Sequence, residues 1–580
     1  MQKTNRLSKA LALTFLVAII AIGCHFTQQT LPTDANSITC NSTITASDFN
    51  TWFDSGIVTL NGPVTPANSL TFPDLPNCSF YKWSERMFLW LTSPAPKRYG
   101  GGGGLIMGSP AFYDVSPEDS NGNRTFIPHT PGALMVFNMR AAQLGAHDLP
   151  VVMEKNSARL LEVLKPVMSK SGRQLVLNKE GQEVEIGSAR LDQGKRPVFM
   201  DVSGKEIDGP RAIIRAQFDT VTKTRNRKLD RLTNLDKPSL VQKFTIDKNI
   251  VFLDLFGNVV DVEQGQGGDG DVLMAQNGSL VYYAITVNQV FAYYRTMLGA
   301  SVPSGTKFPL TQTDLNAITS FATAHGASII DSQALAIEVK SAWVEAAGLP
   351  DSNKFITMQA TIPTYDKSNP NDWKPNGHKT ALLAMVGMHV VGSTGSTNAA
   401  NTNHGHPEML WATFEHVSNN PSAGYAYAKS SGTGVEARNT TGTWVFCANG
   451  STGPFNQAHM EMGGATGDHI VNKPSFTISP SNTLRGKAFG MDSASAGSNS
   501  EVIVINNGVR NLLIDGDLRK NYIQIGTTWT IFGNTGPQVG TNKLANSTME
   551  TYQPGSNCFN CHTANTTDVS FIFSPLLPLF

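Results

Sequence analysis

The stretches VLNKEGQEVEI (176–186), VFMDVSGKEI (198–207) and VFLDLFGNVVDV (251–262) decide the fold class. In each, short apolar runs flank a turn that carries a glycine, at Gly181, Gly204 and Gly257. Alternation of apolar and polar residues with a period of two marks a strand with one buried face, and a glycine turn between two such runs closes a β-hairpin. The same punctuation recurs in KSG (170–172) and QNG (276–278). Residues 160–280 therefore predict an antiparallel sheet unit, with spacing too irregular for a propeller.

Outside that unit the periodicity changes. In SFYKWSERMFLWL (79–91), Phe80, Trp83, Met87, Phe88 and Leu91 recur at helical spacing, which predicts a core-facing helix. The five glycines 100–104 lack a following Gly-Lys-Ser/Thr and read as a turn, not a phosphate loop. GQGGDGD (265–271) lacks the full ligand ladder of a calcium loop and also reads as a turn. Helices are expected near 47–54, over 281–298, over 312–325 (with Thr313 as N-cap and Gly326 as stop) and over 509–519. Strands are expected over 336–344, 355–362, 381–391, 409–417, 443–447, 501–505 and 522–531, with 381–391 and 501–505 apolar enough to be central. The fold class this predicts is α+β, predominantly antiparallel β with a few packed helices. The expected division is a signal peptide at 1–23, a tether and lead-in at 24–75, a β-hairpin-rich domain at 76–280 and an α+β domain at 281–580.

The N-terminus reads as an export signal. Lys3, Arg6 and Lys9 precede an apolar run, Ala10 to Ile22, too short to span a bilayer comfortably. It ends in AIGC (21–24), similar to a lipobox, with Ala21 where leucine is usual. Lipidation of Cys24 would tether the chain to a membrane as a lipoprotein on the periplasmic side or the cell surface; ordinary signal cleavage would export it untethered. Of six cysteines, Cys40, Cys78 and Cys447 are left for structural roles. Cys40 and Cys78 can pair and Cys447, in WVFC (444–447), reads as a buried thiol, but sequence does not decide the pairing. Lys+Arg and Asp+Glu number 45 each, a balance that gives no reason to expect nucleic acid as a partner. The basic cluster 223–231 reads as a solvated face.

Near the C-terminus stands CFNCH (558–562). Two thiols at C-x-x-C spacing followed at once by an imidazole are what covalent attachment of a c-type haem needs: Cys558 and Cys561 form thioethers and His562 supplies the proximal iron ligand. The competing readings are a disulfide or dithiol that happens to precede a histidine, and zinc, which wants four ligands where no second C-x-x-C exists. Only 18 residues follow His562, too few for an appended small all-α cytochrome c domain. One haem c should thus sit against the upstream domain, with the apolar tail Phe571–Phe580 able to wall it from water.

A second concentration of chemistry lies at His389, His404, His406, Met409 and His416, and a third at His459, Met460, Met462 and His469. The histidines of the second group can be hydrogen-bonded core residues, can serve near the haem, or can bind an independent metal. His389, His404, His406, His416, Met409, His459, Met460 and Met462 are all candidates for the distal haem ligand. The chain resembles large uncharacterised monohaem cytochrome-c-like lipoproteins of Gram-negative bacteria, through FYKWSERMFLWLTSP (80–94), GMHVVGS (387–393), HPEMLWATFEHV (406–417) and LANSTMETY (544–552) ahead of CFNCH. The resemblance implies haem and export and supplies no reaction; only Cys558, Cys561 and His562 carry over as functional residues. The expected function is single-electron transfer to and from a redox partner protein. A haem enzyme of peroxidase or oxygenase type, or a redox or gas sensor with an open distal site, is the alternative, so enzyme status stays open.

Overall fold

The structure, a computed structural model, describes residues 25–580 apart from 42–43, 74–77, 102–103, 118–122, 140–150, 154–159, 165–166, 193–195, 214–239, 247–248, 261–269, 304, 396–404, 464–467, 487–492, 531–537, 556 and 563–566. The expected signal and lipobox, the basic cluster 223–231 and most of the 265–271 turn lie outside the described residues. Among the described residues no helix is long and apolar enough to cross a membrane.

The fold is α+β and mostly antiparallel, as the hairpin patterns predict. Nine strands of one 13-stranded sheet position the site: β1 (Phe112–Val115), β2 (Phe126–Pro128), β3 (Met135–Val136), β4 (Tyr282–Asn288), β5 (Ile337–Glu345), β6 (Thr357–Asp366), β7 (Asp372–Thr394), β8 (His406–His416) and β9 (Tyr522–Thr530). They run in the order β2-β1-β4-β5-β7-β8-β9, each pair antiparallel. β6 pairs antiparallel with the first part of β7, and β3 lies parallel to β6. The described helices are α1 (Ala46–Asn50), α2 (Cys78–Leu91), α3 (Gln289–Met297), α4 (Gln312–Ala324), α5 (Ser493–Leu512) and α6 (Cys558–Cys561).

One face of the sheet buries α2. Phe80, Trp83, Met87, Phe88 and Leu91 join Val339, Met388, Val390, Leu410 and Phe414 in a single core, and the rings of Phe88 and Phe414 stack at 4.3 Å. Each such side chain, fully buried, contributes roughly 1.5–3 kcal/mol. Two glycines of GMHVVGS permit close approach on opposite faces. A Cβ on Gly392 would meet Trp83 of α2 at 2.9 Å, and one on Gly387 would meet the Thr548 hydroxyl at 2.4 Å. Two of the sequence stretches singled out above thus pack on the strand that carries a third.

The expected domain boundaries need correction. Strands β1–β3 share a sheet with β4–β9, so position 280 does not separate two folding units. The lead-in is also more than a tether, because Phe49, Trp52 and Phe53 sit in the main core and Cys40 is bonded to Cys78; burying aromatic side chains of that size contributes strongly to stability. The hairpin unit itself is an insertion. The described strands between 151 and 260 form a five-stranded and a three-stranded sheet of their own, and the three quoted hairpins close through Val176↔Val184, Met200↔Glu206 and Phe252↔Val260.

Other differences are local. Residues 282–288 are a strand that runs straight into α3 at Asn288, whose side chain accepts the Phe291 N–H; with no loop between them, the apolar run reads as one helix. The N-cap of α4 is Thr311, in a reciprocal capping box with Asp314, not Thr313. Residues 501–505 belong to α5, and 443–447 form no strand. Cys447 is buried, and burial pushes its thiol up to about 11.

Candidate functional site

On the sheet face away from α2, successive strands present Ile285 (β4), Glu338 and Lys340 (β5), His389 and Val391 (β7) and Trp411 (β8). Register brings them together: Lys340 lies opposite His389 and Val391 opposite Trp411. They floor a cavity of about 510 Å³, closed on other sides by the 124–139 segment, by Leu544 and Glu550, and by Cys558, His562 and Phe571 from the C-terminal segment. That volume falls in the roughly 300–1,000 Å³ range of cofactor sites.

The C-terminal segment is held down at several points. Asn557 caps α6 by accepting the Phe559 N–H and donates through Nδ2 to the Thr541 carbonyl at 3.2 Å. The His562 N–H bonds to the Cys558 carbonyl at 2.9 Å. Beyond, Phe573 is buried among Phe291 and Phe308, its carbonyl accepts from Arg295 Nε at 2.8 Å, and backbone bonds tie Pro575 and Leu577 to Arg124. The apolar tail therefore closes one wall of the cavity, with Phe571 and Ile572 lining it.

His562 is half-buried between aromatic rings, its centroid 4.2 Å from that of Trp411 and 4.3 Å from that of Phe571. Its Nδ1 bonds to the carbonyl of Val569. A carbonyl only accepts, so Nδ1 carries the proton and Nε2 keeps its lone pair. Burial is the main cause that lowers this imidazole to about 4, with Lys340 and His389 acting in the same direction. A neutral imidazole with one nitrogen tied to a carbonyl and the other open is the arrangement found at metal-ligating histidines.

The loop before the motif anchors the opposite part of the wall. Asn546 Nδ2 donates to Thr413 Oγ1 at 2.8 Å and to the Phe414 carbonyl at 3.0 Å. The Ser547 N–H and Oγ donate to the two oxygens of Glu415, at 2.6 and 2.7 Å, and Glu415 pairs with Arg485 at 2.9 Å. Glu550 closes the turn by accepting the Asn546 N–H at 2.9 Å, and its carboxylate oxygens each lie 3.1 Å from His389 Nε2. Glu338 is buried in the cavity wall, where loss of water raises its carboxyl to about 8 against the pull of Lys340, Ser570 and Arg124.

The other histidines and methionines of the sequence clusters are placed elsewhere. His406 bonds to Glu408 at 2.9 Å and meets Phe80 on the α2 face. His416 stacks on Phe355 at 3.7 Å, accepts the Ser418 N–H and donates to the Lys354 carbonyl. Met409 is buried in the cluster around Phe291. His459 stacks on Phe476, and Met460 and Met462 lie on the 460–463 strand paired with residues 271–272. His404 lies outside the described residues. Of the expected distal candidates, His389 is the one described residue that lines the cavity; His129, Met135 and Met139 line it too and carry no local sequence signal. Among the described residues no three His, Cys, Asp or Glu side chains converge as a metal site.

The residues present fit an iron porphyrin. His562 offers an open Nε2, Cys558 lines the same cavity, the walls are mixed apolar and aromatic, and the cations Arg124 and Lys340 suit the two carboxylates such a group carries. The side chain of Cys561 lies outside the described residues. Compared with family models, curated proteins and solved structures, the chain matches none.

Proposed function

We propose that this is an exported monohaem c-type protein that carries single electrons for a redox partner protein, held at a membrane through lipid on Cys24. The observation that carries this reading is the pairing of the C-x-x-C-H sequence with His562 Nδ1 spent on a backbone carbonyl, so that Nε2 is left for iron beside a cavity of cofactor size. Haem supplies a reversible one-electron change at its iron. Cys558 and Cys561 attach it, and His562 ligates it. Trp411 and Phe571 flank the imidazole, and the buried Ile572 covers that wall.

A second reading, haem-dependent oxidation, draws on the titratable groups at the cavity wall. His389 backed by Glu550, and Glu338 with its raised carboxyl, can accept or return a proton. Absorption and spin-state spectra of the purified holoprotein separate the two. A six-coordinate low-spin ferric haem indifferent to cyanide and peroxide supports the carrier; an open or ligand-exchanging haem supports the enzyme. Production in a host competent for c-type maturation must yield a covalent chromophore that the double variant C558A/C561A lacks. A colourless parent protein, or haem that stays covalently bound in that variant, would overturn both readings.

A further inference from the structure

The cavity wall holds two described histidines besides His562, and their hydrogen bonds divide them. Both ring nitrogens of His129 face oxygens: Nδ1 bonds to the Ser109 carbonyl at 3.2 Å, and Nε2 lies 2.9 Å from Asp114 Oδ1 without hydrogen-bond alignment. With an acceptor oxygen lying in front of each nitrogen, His129 is the poorer ligand candidate of the two. His389 has one nitrogen engaged, Nε2, which donates to the Glu550 carboxylate. No hydrogen bond among the described residues engages its Nδ1. The bonding of His389 thus parallels that of His562, where the backbone carbonyl of Val569 plays the part of Glu550. An imidazole with one N–H given to a carboxylate and the other nitrogen open is the second recurring form of a metal-ligating histidine, and the carboxylate both sets the tautomer and strengthens the donor.

The supports of His389 are also rigid. It sits inside β7, flanked by β5 and β8 in register with Lys340 and Thr413. Glu550 is fixed by the Asn546 N–H, and its own N–H returns a bond to the Asn546 carbonyl at 2.8 Å. Asn546 in turn is bonded to β8. The chain spends a buried, multiply bonded turn on orienting one imidazole that faces the cavity.

We infer that His389 is the second axial ligand of the haem iron, with Glu550 as the positioning residue that sets its tautomer and donor strength. The assignment rests on the haem reading above. A second histidine ligand with a carboxylate partner favours the ferric state, so the potential lies below that of a histidine–methionine pair.

The test uses the full mature holoprotein. In the parent, electron paramagnetic resonance of the ferric form is expected to be low-spin. His389→Ala should give a high-spin ferric haem that binds cyanide, and added imidazole should restore the low-spin signal. His389→Met should stay six-coordinate with a raised potential. Glu550→Gln keeps the bond to Asn546 but removes the charge; it should raise the potential and weaken the sixth ligand about 10–100-fold in competition with cyanide. A low-spin spectrum and potential unchanged in both His389 variants would overturn the assignment while leaving the haem reading intact. A parent without covalent haem would instead sink the reading on which it rests.

Discussion

The indole of Trp411 and the imidazole of His562 lie with ring centres 4.2 Å apart, so the histidine of the C-x-x-C-H motif rests directly on a strand of the central sheet. Trp411 is held from behind, since its Nε1 donates to the Glu408 carbonyl at 3.1 Å, and Phe559 packs at its edge. Trp411→Ala should cost about 3–5 kcal/mol, the usual loss for a buried aromatic. Trp411→Phe should recover a good part of it. Urea denaturation midpoints of the three proteins test this; an alanine variant as stable as the parent would show that the contact bears little weight.

The buried pair Glu415–Arg485 should be costly to break singly. The pair is 2.9 Å apart with both side chains almost inaccessible to water, and Ser547 donates twice to Glu415. Arg485→Met leaves the carboxylate without its counter-charge and should destabilise by about 3–5 kcal/mol. The double variant E415Q/R485M should lose less than the sum of the two single variants, because no lone charge stays buried. Additive losses in a double-mutant cycle would count against the coupling.

His416 should impose an acid limit on stability. Burial lowers this imidazole from 6.5 to about 3, and its two nitrogens are occupied as a neutral ring, one accepting and one donating. The unfolded chain takes up a proton below about 6.5 where the folded chain does not. The contribution is therefore complete above about pH 6.5 and is lost as pH falls toward 3, by up to about 1.4 kcal/mol per pH unit. His416→Phe should be less stable than the parent at pH 7.5, with a gap that narrows steadily by pH 4. Unfolding free energies measured across that range would refute the idea if the two curves stayed parallel.

Glu85 should act in the opposite direction. It is buried in α2, and loss of water raises its carboxyl to about 8, partly offset by Arg510. The folded state favours the protonated acid, so its contribution is present below about pH 4.5 and declines as pH rises toward 8. Glu85→Gln, which cannot ionise, should gain stability relative to the parent between pH 5 and 8. Calorimetric midpoints that move together over this interval would contradict the assignment.

The Cys40–Cys78 bridge ties the lead-in to the start of α2 across a sequence separation of 38. The double variant C40S/C78S should lose about 3–4 kcal/mol through the larger unfolded ensemble. The check is the denaturation midpoint of the oxidised parent against the variant, with the reduced parent expected to match the variant.

Local pattern made some of the architecture legible and misled elsewhere. The spacing of Phe80, Trp83, Met87, Phe88 and Leu91 marks α2 because its pattern has a helical period, and the three glycine hairpins close as expected. The EVIVI run at 501–505 reads as a strand but lies in α5, which packs on α2 and β9. Five apolar residues in a row carry no period, so a helix buried on several sides and a central strand look alike. Of the cavity wall, the C-terminal motif, the tail after it and His389, Val391, Trp411, Leu544 and Glu550 lie in stretches the sequence singles out; His129, Met135 and Met139 arrive from a segment brought close by strand pairing.

The sequence by itself determined the residues on offer: two thiols and an imidazole at C-x-x-C-H spacing, an N-terminus that reads as an export signal, and strands with one apolar face. Only the tertiary structure decided which histidine faces that motif. His389 and His406 lie on adjacent strands, yet His389 turns to the cavity and His406 to α2. Alternate residues of a strand point to opposite faces, so long-range pairing of β7 with β5 and β8 settles what sits beside His562. Which nitrogen stays open depends on partners as far along the chain as Glu550 and Val569.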